Sequence, residues 1–455
     1  MALNVVVMAA GKGTRMKSAL PKVLHRIGGR SLLQHVLDAA TGLGVTHCVV
    51  VTGHGAEAVE AASAASGAVF VRQMPQLGTG HAVQQALPAL DDAHATTLIL
   101  NGDVPLIRSE TAQALADACG GHCLALLTIT LADATGYGRI LRAGDGSVRG
   151  IVEHKDASAM QRQIGEIYTG LMAAPTAALK RWVAALKNDN AQGEFYLTDI
   201  VAMAVAEGTP VVATAAASET EVLGVNSPSQ LAELERRYQR RQAETLMDAG
   251  VRLADPARFD QRGTLECGTD VEIDVNCVFE GAVQLGDGVR IGANCVIRDA
   301  RIAAGAVIHP FTHIDGAIVG PGALVGPYAR LRPGAELGAD VHIGNFVEVK
   351  NSTLAKGAKA NHLAYLGDAT VGERVNYGAG SITANYDGAN KHRTVIGNDV
   401  HVGSNCVLVA PITLGDGATI GGGSTLGKDA PAGTLTVARA RQVSLPGWQR
   451  PKKIT

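Results

Sequence analysis

The chain has 455 residues, 46% of them hydrophobic and 18% charged, enough for two or three buried cores. Its formal net charge of −2 provides no global field that would draw it to nucleic acid or to an acidic membrane surface. No apolar run approaches the roughly 20 residues that span a bilayer, and the 55 glycines against 4% aromatics suit a fold with many narrow, repeated turns.

The first ten residues lack a basic leader and run into a glycine loop, so they read as a first strand and not as a signal peptide. Strands are expected at 5–8, 47–51, 97–100 and 124–130, and helices at 32–40, 56–65, 81–87 and 110–118. Alternation of this kind predicts a mainly parallel sheet with helices on both faces, a Rossmann-like α/β domain over residues 1–226. Seven cysteines are scattered without metal-ligand spacing, which points to free thiols and a reducing cytoplasm.

The first strand empties into Met8-Ala9-Ala10-Gly11-Lys12-Gly13-Thr14-Arg15, followed by Pro21-Lys22. A glycine turn at a strand end directs backbone N–H groups to one point, and Arg15 and Lys22 supply the positive charge a polyphosphate needs. The spacing is not that of a P-loop. These residues resemble the sugar-phosphate nucleotidyltransferase family, whose pattern is Gly-x-Gly-Thr-x-Met followed by Pro-Lys. The resemblance implies that Met8, Ala9, Ala10, Gly11 and Lys22 bind the nucleotide, with Arg15 and Lys22 acting on the phosphates. It also implies that Gln73, Gly78 and Thr79 recognise a uracil base, and that Gly138, Glu153 and Asn226 bind the sugar. Asp103 and Asn226 correspond to the family's Mg²⁺ ligands, with UTP as the nucleotide. Asp103 also reads as a turn cap, Asn226 as a linker turn residue and Glu153 as a solvated strand end. Two positions depart from the family: Asn101 stands where relatives carry Tyr, and Tyr168 where they carry a sugar-binding Asn. Neither is carried over as a contact.

Residues 227–249 are charged and free of glycine, with Ser227 placed to cap and Pro228 suited to a first turn, so a linker helix is expected. From 250 to 455 the pattern changes. Aliphatic residues recur every sixth position, at Leu285, Ile291 and Ile297, then from Val319 to Val349, then from Ile396 to Leu426, often followed by glycine. Hexads of this kind predict a left-handed parallel β-helix with three hexads per coil and glycine at tight corners. Cys277 and Cys295, three hexads apart, should stack inside it as packing groups. The pattern slips between the first two runs and breaks at 383–394, where a solenoid grows loops.

Segments around Arg332, Lys350, His362, Tyr365 and Asn376, joined to the N-terminal half, resemble the bacterial family of bifunctional N-acetylglucosamine-1-phosphate uridylyltransferase/glucosamine-1-phosphate N-acetyltransferases. The resemblance covers nearly the whole chain. It implies that His362 is the base that frees the amine of the sugar, an imidazole exchanging protons near neutrality. Arg332 and Lys350 would hold the sugar phosphate and Tyr365 and Asn376 the sugar, while Glu348 reads as a partner of the amino group or of His362, or as a solvated corner residue. Ala379, Asn385, Tyr386, Ser404, Gly422 and Arg439 would meet acetyl-coenzyme A. A basic tail, Arg439, Arg441, Arg450, Lys452 and Lys453, is either solvated or faces the anionic end of that carrier. The resemblance further implies a homotrimer built through the β-helix, with sugar phosphates as the small-molecule partners. Two other readings compete: a single-activity pyrophosphorylase with a structural β-helix, and a non-enzymatic interaction protein of the same layout.

Overall fold

The computed structural model describes residues 2–90, 95–451 and 453, so Lys452 of the basic tail lies outside the described residues. The chain divides into two compact units, Met1–Tyr238 and Gln239–Thr455.

In the first unit a nine-stranded sheet is built from β1 (Leu3–Ala9), β2 (His47–Thr52), β3 (Val69–Arg72), β4 (Thr96–Asn101), β5 (Leu124–Thr130), β6 (Gly138–Arg142), β7 (Val148–Val152), β8 (Glu166–Pro175) and β9 (Val211–Ala215). The order is β9-β5-β8-β4-β1-β2-β3, with β6 and β7 paired beside β8. β1, β2, β3 and β4 run parallel, as do β5 and β9, whereas β8 runs antiparallel to both of its main neighbours. The expected mainly parallel sheet therefore carries an antiparallel strand through its middle. The α-helices of the described residues are, in chain order, α1 (Leu32–Thr41), α2 (Ala56–Ala62), α3 (Thr79–Ala86), α4 (Ser109–Cys119), α5 (Thr176–Ala184), α6 (Asp199–Ala206), α7 (Glu219–Val222) and α8 (Pro228–Asp248). Apolar faces of α1, α2 and α4 close one core, on Leu33, Val59 and Leu115, and those of α3, α5 and α6 close the other, on Val83, Trp182 and Ile200. Burying both faces explains why β1 and β4 read as continuous apolar runs. The helix expected to 65 stops at Ala62, where a one-turn 3₁₀ segment takes over.

α8 begins in the first unit and ends in the second. Its start is capped as the sequence suggests: the Gln230 N–H donates to Ser227 Oγ at 3.3 Å. Within the first unit Leu234 and Tyr238 of α8 pack with Met16, Ile27 and Leu106.

The second unit is a ladder of short parallel strands, 11 in one sheet and 17 in another. Every aliphatic residue of the three hexad runs points inward, from Leu285 at 3% exposure to Leu426 at 3%. Register explains the slip. Phe259 pairs with Cys277 and Val278 with Val296, a full three hexads further along the chain. Val296 then pairs with His313 and Ile302 with Val319, each a single position short of three hexads. A coil shortened in this way moves the hexad phase back by one position. The coil in which Asn376 pairs with His401 is instead lengthened, and its extra residues form the loop bridged by Tyr386 and Lys391. Cys277 and Cys295 stack as expected, and burial raises their thiols to about 11 and about 12. All seven cysteines are free. Among the described residues no helix is long and apolar enough to cross a membrane.

The hexad glycines stand at the expected tight corners, and what requires them there is space between coils. Left-handed backbone falls two positions later, on Asn405 after Gly403 and on Asp399 after Gly397. Gly403 is needed for stacking, because a Cβ there would stand 2.5 Å from the Gly422 nitrogen and 2.7 Å from its Cα. Gly403→Ala is therefore expected to destabilise the second unit by about 1–3 kcal/mol, read as a lower denaturation midpoint, while the first unit melts unchanged.

Candidate functional site

In the first unit the carboxyl ends of β1 and β4 open onto a cleft with two lobes. β1 lies between β4 and β2, so the chain leaves it in opposite directions along the sheet, which is where open α/β sheets hold ligands. One lobe, of about 450 Å³, is lined by Met8, Ala9, Ala10, Gly11 and Lys22 on one side, and by Gln73, Gly78 and Thr79 on the other. The second, of about 310 Å³, is lined by Arg15, Gly138, Glu153, Tyr168, Thr198 and Asn226. Met8, Thr79, Asn101 and Asp103 belong to both lobes. All the N-terminal residues singled out in the sequence thus converge on this cleft.

Local geometry shows how each is held. Gly13 adopts φ +58°, and a Cβ on it would stand 2.7 Å from Lys22 Cβ, so this glycine lets the lysine stem cross the loop. The Lys22 ammonium is paired with Asp103 Oδ2 and donates to Asn226 Oδ1 at 3.2 Å, with the lysine side chain 13% exposed and that of the aspartate 20%. On the opposite wall Gln73 Nε2 donates to the Gly78 carbonyl at 2.8 Å, and Gln76 Nε2 to the Ala10 carbonyl at 3.1 Å. Thr79 opens α3 and its hydroxyl accepts the Leu197 N–H at 3.0 Å. Glu153 accepts from Thr198 Oγ1 at 3.0 Å. Burial and then the neighbouring carboxylates Asp199, Asp156 and Glu194 push its carboxyl above the usual range, against the lowering effect of Thr198.

Thr198 lines the cleft without any signal in the sequence, and Tyr168 and Asn101, marked there only as departures from the family pattern, line it too. Thr198 sits in an unremarkable Tyr-Leu-Thr-Asp stretch. Tyr168 is 8% exposed, its hydroxyl has no hydrogen-bond partner, and burial beside Glu153 holds the phenol well above its usual pKa. Asn101 lines both lobes and its amide donates to the Gly170 carbonyl at 3.3 Å.

In the second unit the hexads arrange the other residues in rows and columns. Asn345 pairs with His362 one coil on. The ladder continues from His362 to Ala379, Ser404 and Gly422, through the bonds Gly380 N–H to His362 O, Asn405 N–H to Ala379 O and Gly423 N–H to Ser404 O. Arg439 Nη1 then donates to the Gly422 carbonyl at 2.8 Å. Five of the residues read separately in the sequence thus form one line. His362 is exposed, and its Nδ1 lies 3.0 Å from Asn345 Oδ1; the tautomer whose Nδ1–H donates to that amide oxygen keeps its lone pair on Nε2. Asn345 was passed over in the sequence, although its offset of one coil from His362 was the available signal.

The strand Lys359–His362 ends at His362 and the next, Tyr365–Gly367, begins after a corner. Beyond that corner Glu348 pairs with Tyr365 in register and forms an ion pair with Arg332 at 2.8 Å, so Glu348 holds the arginine. Lys350 lies 3.8 Å from Asp368 Oδ2, to which the Asn385 amide also donates. Asn385 Nδ2 reaches Tyr365 Oη at 3.5 Å. Lys391, from the loop, lies against Lys350, whose side-chain hydrogen bond and then positive charge lower the proton affinity of Lys391. Asn376 pairs with Lys359 one coil before it, and its amide lies 3.3 Å from His401 Nδ1. The Tyr386 hydroxyl turns back to the Gly388 carbonyl at 2.6 Å.

Residues 5–253 match the family model described as a MobA-like NTP transferase domain, and residues 316–351 and 393–428 match the bacterial transferase hexapeptide model of six repeats. A bifunctional protein GlmU from Methylibium petroleiphilum is 78% identical over 458 residues, covering 99% of this chain and 99% of the relative. The chain belongs to the GlmU family. The GlmU of Polaromonas naphthalenivorans is 69% identical over 99% of this chain and 98% of its own, and that of Paraburkholderia phytofirmans 60% identical over 99% of each. The GlmU likeness thus takes in the cleft of the first unit and the His362 column of the second alike.

Proposed function

We propose that the chain catalyses the two reactions of UDP-N-acetylglucosamine synthesis, acetylating glucosamine 1-phosphate in its second unit and transferring UMP from UTP to the product in its first. The observation that supports this is that each unit gathers a polar cluster of its own, one around Lys22 and Asp103 and one around His362.

In the acetyl transfer, His362 Nε2 takes a proton from the sugar ammonium, and Asn345 keeps the opposite nitrogen protonated so that Nε2 stays the acceptor. The freed amine attacks the thioester carbon, and the thiol of coenzyme A leaves. Arg332, Lys350 and Lys391 form a cationic patch for the sugar phosphate. The small residues Ala379, Ser404 and Gly422 leave a shallow track from His362 to Arg439, suited to a thin carrier arm with an anionic end.

In the uridylyl transfer, the sugar phosphate attacks the α-phosphorus of UTP and pyrophosphate leaves, so both partners are anions and the work is alignment and charge neutralisation. The backbone of Ala9, Ala10 and Gly11 borders the triphosphate lobe, with Arg15 and Lys22 contributing charge. Asp103 and Asn226 suit Mg²⁺, because two oxygen atoms converge on a point already able to hold a cation, the Lys22 ammonium. When bound there, Mg²⁺ supplies charge neutralisation at the phosphates. Tyr168 and Glu153 border the sugar lobe. A buried phenol without a partner is costly until a ligand supplies one. Tyr168→Phe is expected to raise the KM for N-acetylglucosamine 1-phosphate about tenfold with kcat little changed, while the thermal midpoint stays level or rises.

The exposed position of His362 supports a homotrimer, in which a neighbouring copy would close the acetyl site, and seven free thiols support a reducing cytoplasm. An assay with glucosamine 1-phosphate, acetyl-coenzyme A, UTP and Mg²⁺, following free thiol and pyrophosphate separately, tests the whole reading. Release of both products is expected. Pyrophosphate release from N-acetylglucosamine 1-phosphate with no thiol release from glucosamine 1-phosphate would reduce the chain to a single-activity pyrophosphorylase.

A further inference from the structure

The Lys22 ammonium sits between the two oxygens, Asp103 Oδ2 and Asn226 Oδ1, that suit a divalent cation. We propose that Lys22 is a placeholder for the metal: the ammonium and the divalent ion occupy one seat by turns, and metal entry drives Lys22 out towards the triphosphate lobe. This rests on the reading of Asp103 and Asn226 as the metal's ligands.

Three features of the site support an exchange. An ammonium bonded to both oxygens fills the space a metal would need, since a metal–oxygen contact is only about 2.1 Å, and two cations that close repel strongly. The lysine is mostly buried and the aspartate partly so, so an uncompensated Asp103 would be costly, and the ammonium removes that cost while no metal is present. Finally, Lys22 has somewhere to go. Its stem passes the loop through the gap left by Gly13, and it already lines the lobe bordered by Ala9, Ala10 and Gly11. The exchange asks only that Nζ turn about the side-chain bonds from the aspartate toward that lobe, with the backbone in place. The same residue then serves as counter-ion in the resting protein and as phosphate clamp in the loaded one, so metal and triphosphate favour each other's binding through it.

The test uses Mn²⁺ alone, without nucleotide, on the full-length protein, with bound ion counted by electron paramagnetic resonance. Lys22→Met is expected to bind Mn²⁺ at least about fivefold more tightly than the wild type, and Asp103→Ala to lose that binding. An unchanged melting transition of the first unit in each variant reports that its core has folded. A second measurement needs no variant: reductive methylation of the wild type, followed by mass spectrometry of the Lys22 peptide. Mg²⁺ is expected to speed labelling of Lys22 severalfold as the ammonium leaves its ion pair. Equal Mn²⁺ affinity in wild type and Lys22→Met, with binding still dependent on Asp103, would overturn the exchange and leave the metal reading standing. Mn²⁺ binding that ignores Asp103 altogether would remove the seat and the placeholder together, and labelling of Lys22 that is indifferent to Mg²⁺ would also sink the exchange.

Discussion

His362→Ala should lower acetyl transfer by roughly 10²-fold or more while pyrophosphate release from N-acetylglucosamine 1-phosphate and UTP stays at the wild-type rate. In the proposed acetyl transfer the imidazole accepts the proton, with Nδ1 bonded to Asn345. Alanine removes that acceptor and leaves the coil intact, since His362 is exposed and contributes nothing to the inward row of aliphatic residues. The loss should therefore fall on kcat, with binding of the sugar phosphate carried on by Arg332 and Lys350. Asn345→Ala offers a graded companion: it frees the ring to adopt either tautomer and should cost less than removal of the ring. An unchanged acetylation rate in His362→Ala would remove the histidine from the mechanism.

Asp103→Ala should do the converse, lowering uridylyl transfer by roughly 10²-fold or more and sparing acetyl transfer. The carboxylate is the formally anionic member of the Lys22–Asp103–Asn226 cluster, so without it a divalent cation has one neutral amide oxygen left. Addition of excess Mg²⁺ should recover part of the activity, which distinguishes a lost metal ligand from a collapsed cleft. Each unit closes its own core, so neither substitution should carry over to the other reaction. Equal loss of both activities in either variant would contradict two independent sites.

Much of this was legible in the sequence because the relevant signals are local. The glycine loop with Arg15 and Lys22 is one short stretch, and the inward aliphatic positions recur at a fixed interval. What escaped depends on distance along the chain. β8 buries almost every residue from Ile167 to Ala174, so neither alternation nor direction could be read from it, and its antiparallel course appears only with its neighbours in place. Tyr168 gained its significance from burial, since nothing in Glu-Ile-Tyr-Thr-Gly tells an unpartnered hydroxyl from a satisfied one. The alignment of His362, Ala379, Ser404 and Gly422 was hidden because successive members are unequally spaced in the sequence, although register shows each interval to be one coil. The physical need for glycine at those corners is hidden for the same reason: a shortage of space between coils is not visible in one coil.

Because those coils are stacked at a rise of about 4.8 Å, distance along the column comes in whole steps. From His362 to Gly422 is three of them, about 14 Å, with Arg439 fastened at the far end. Such a column works as a graduated scale. A guest lying along it is admitted or refused by length, and inserting or deleting one full coil between the histidine and the arginine would shift the admitted length by one graduation without blurring it. The swollen coil that carries residues 385–393 leaves the scale unaltered, since its extra residues bulge outward and add nothing to the height.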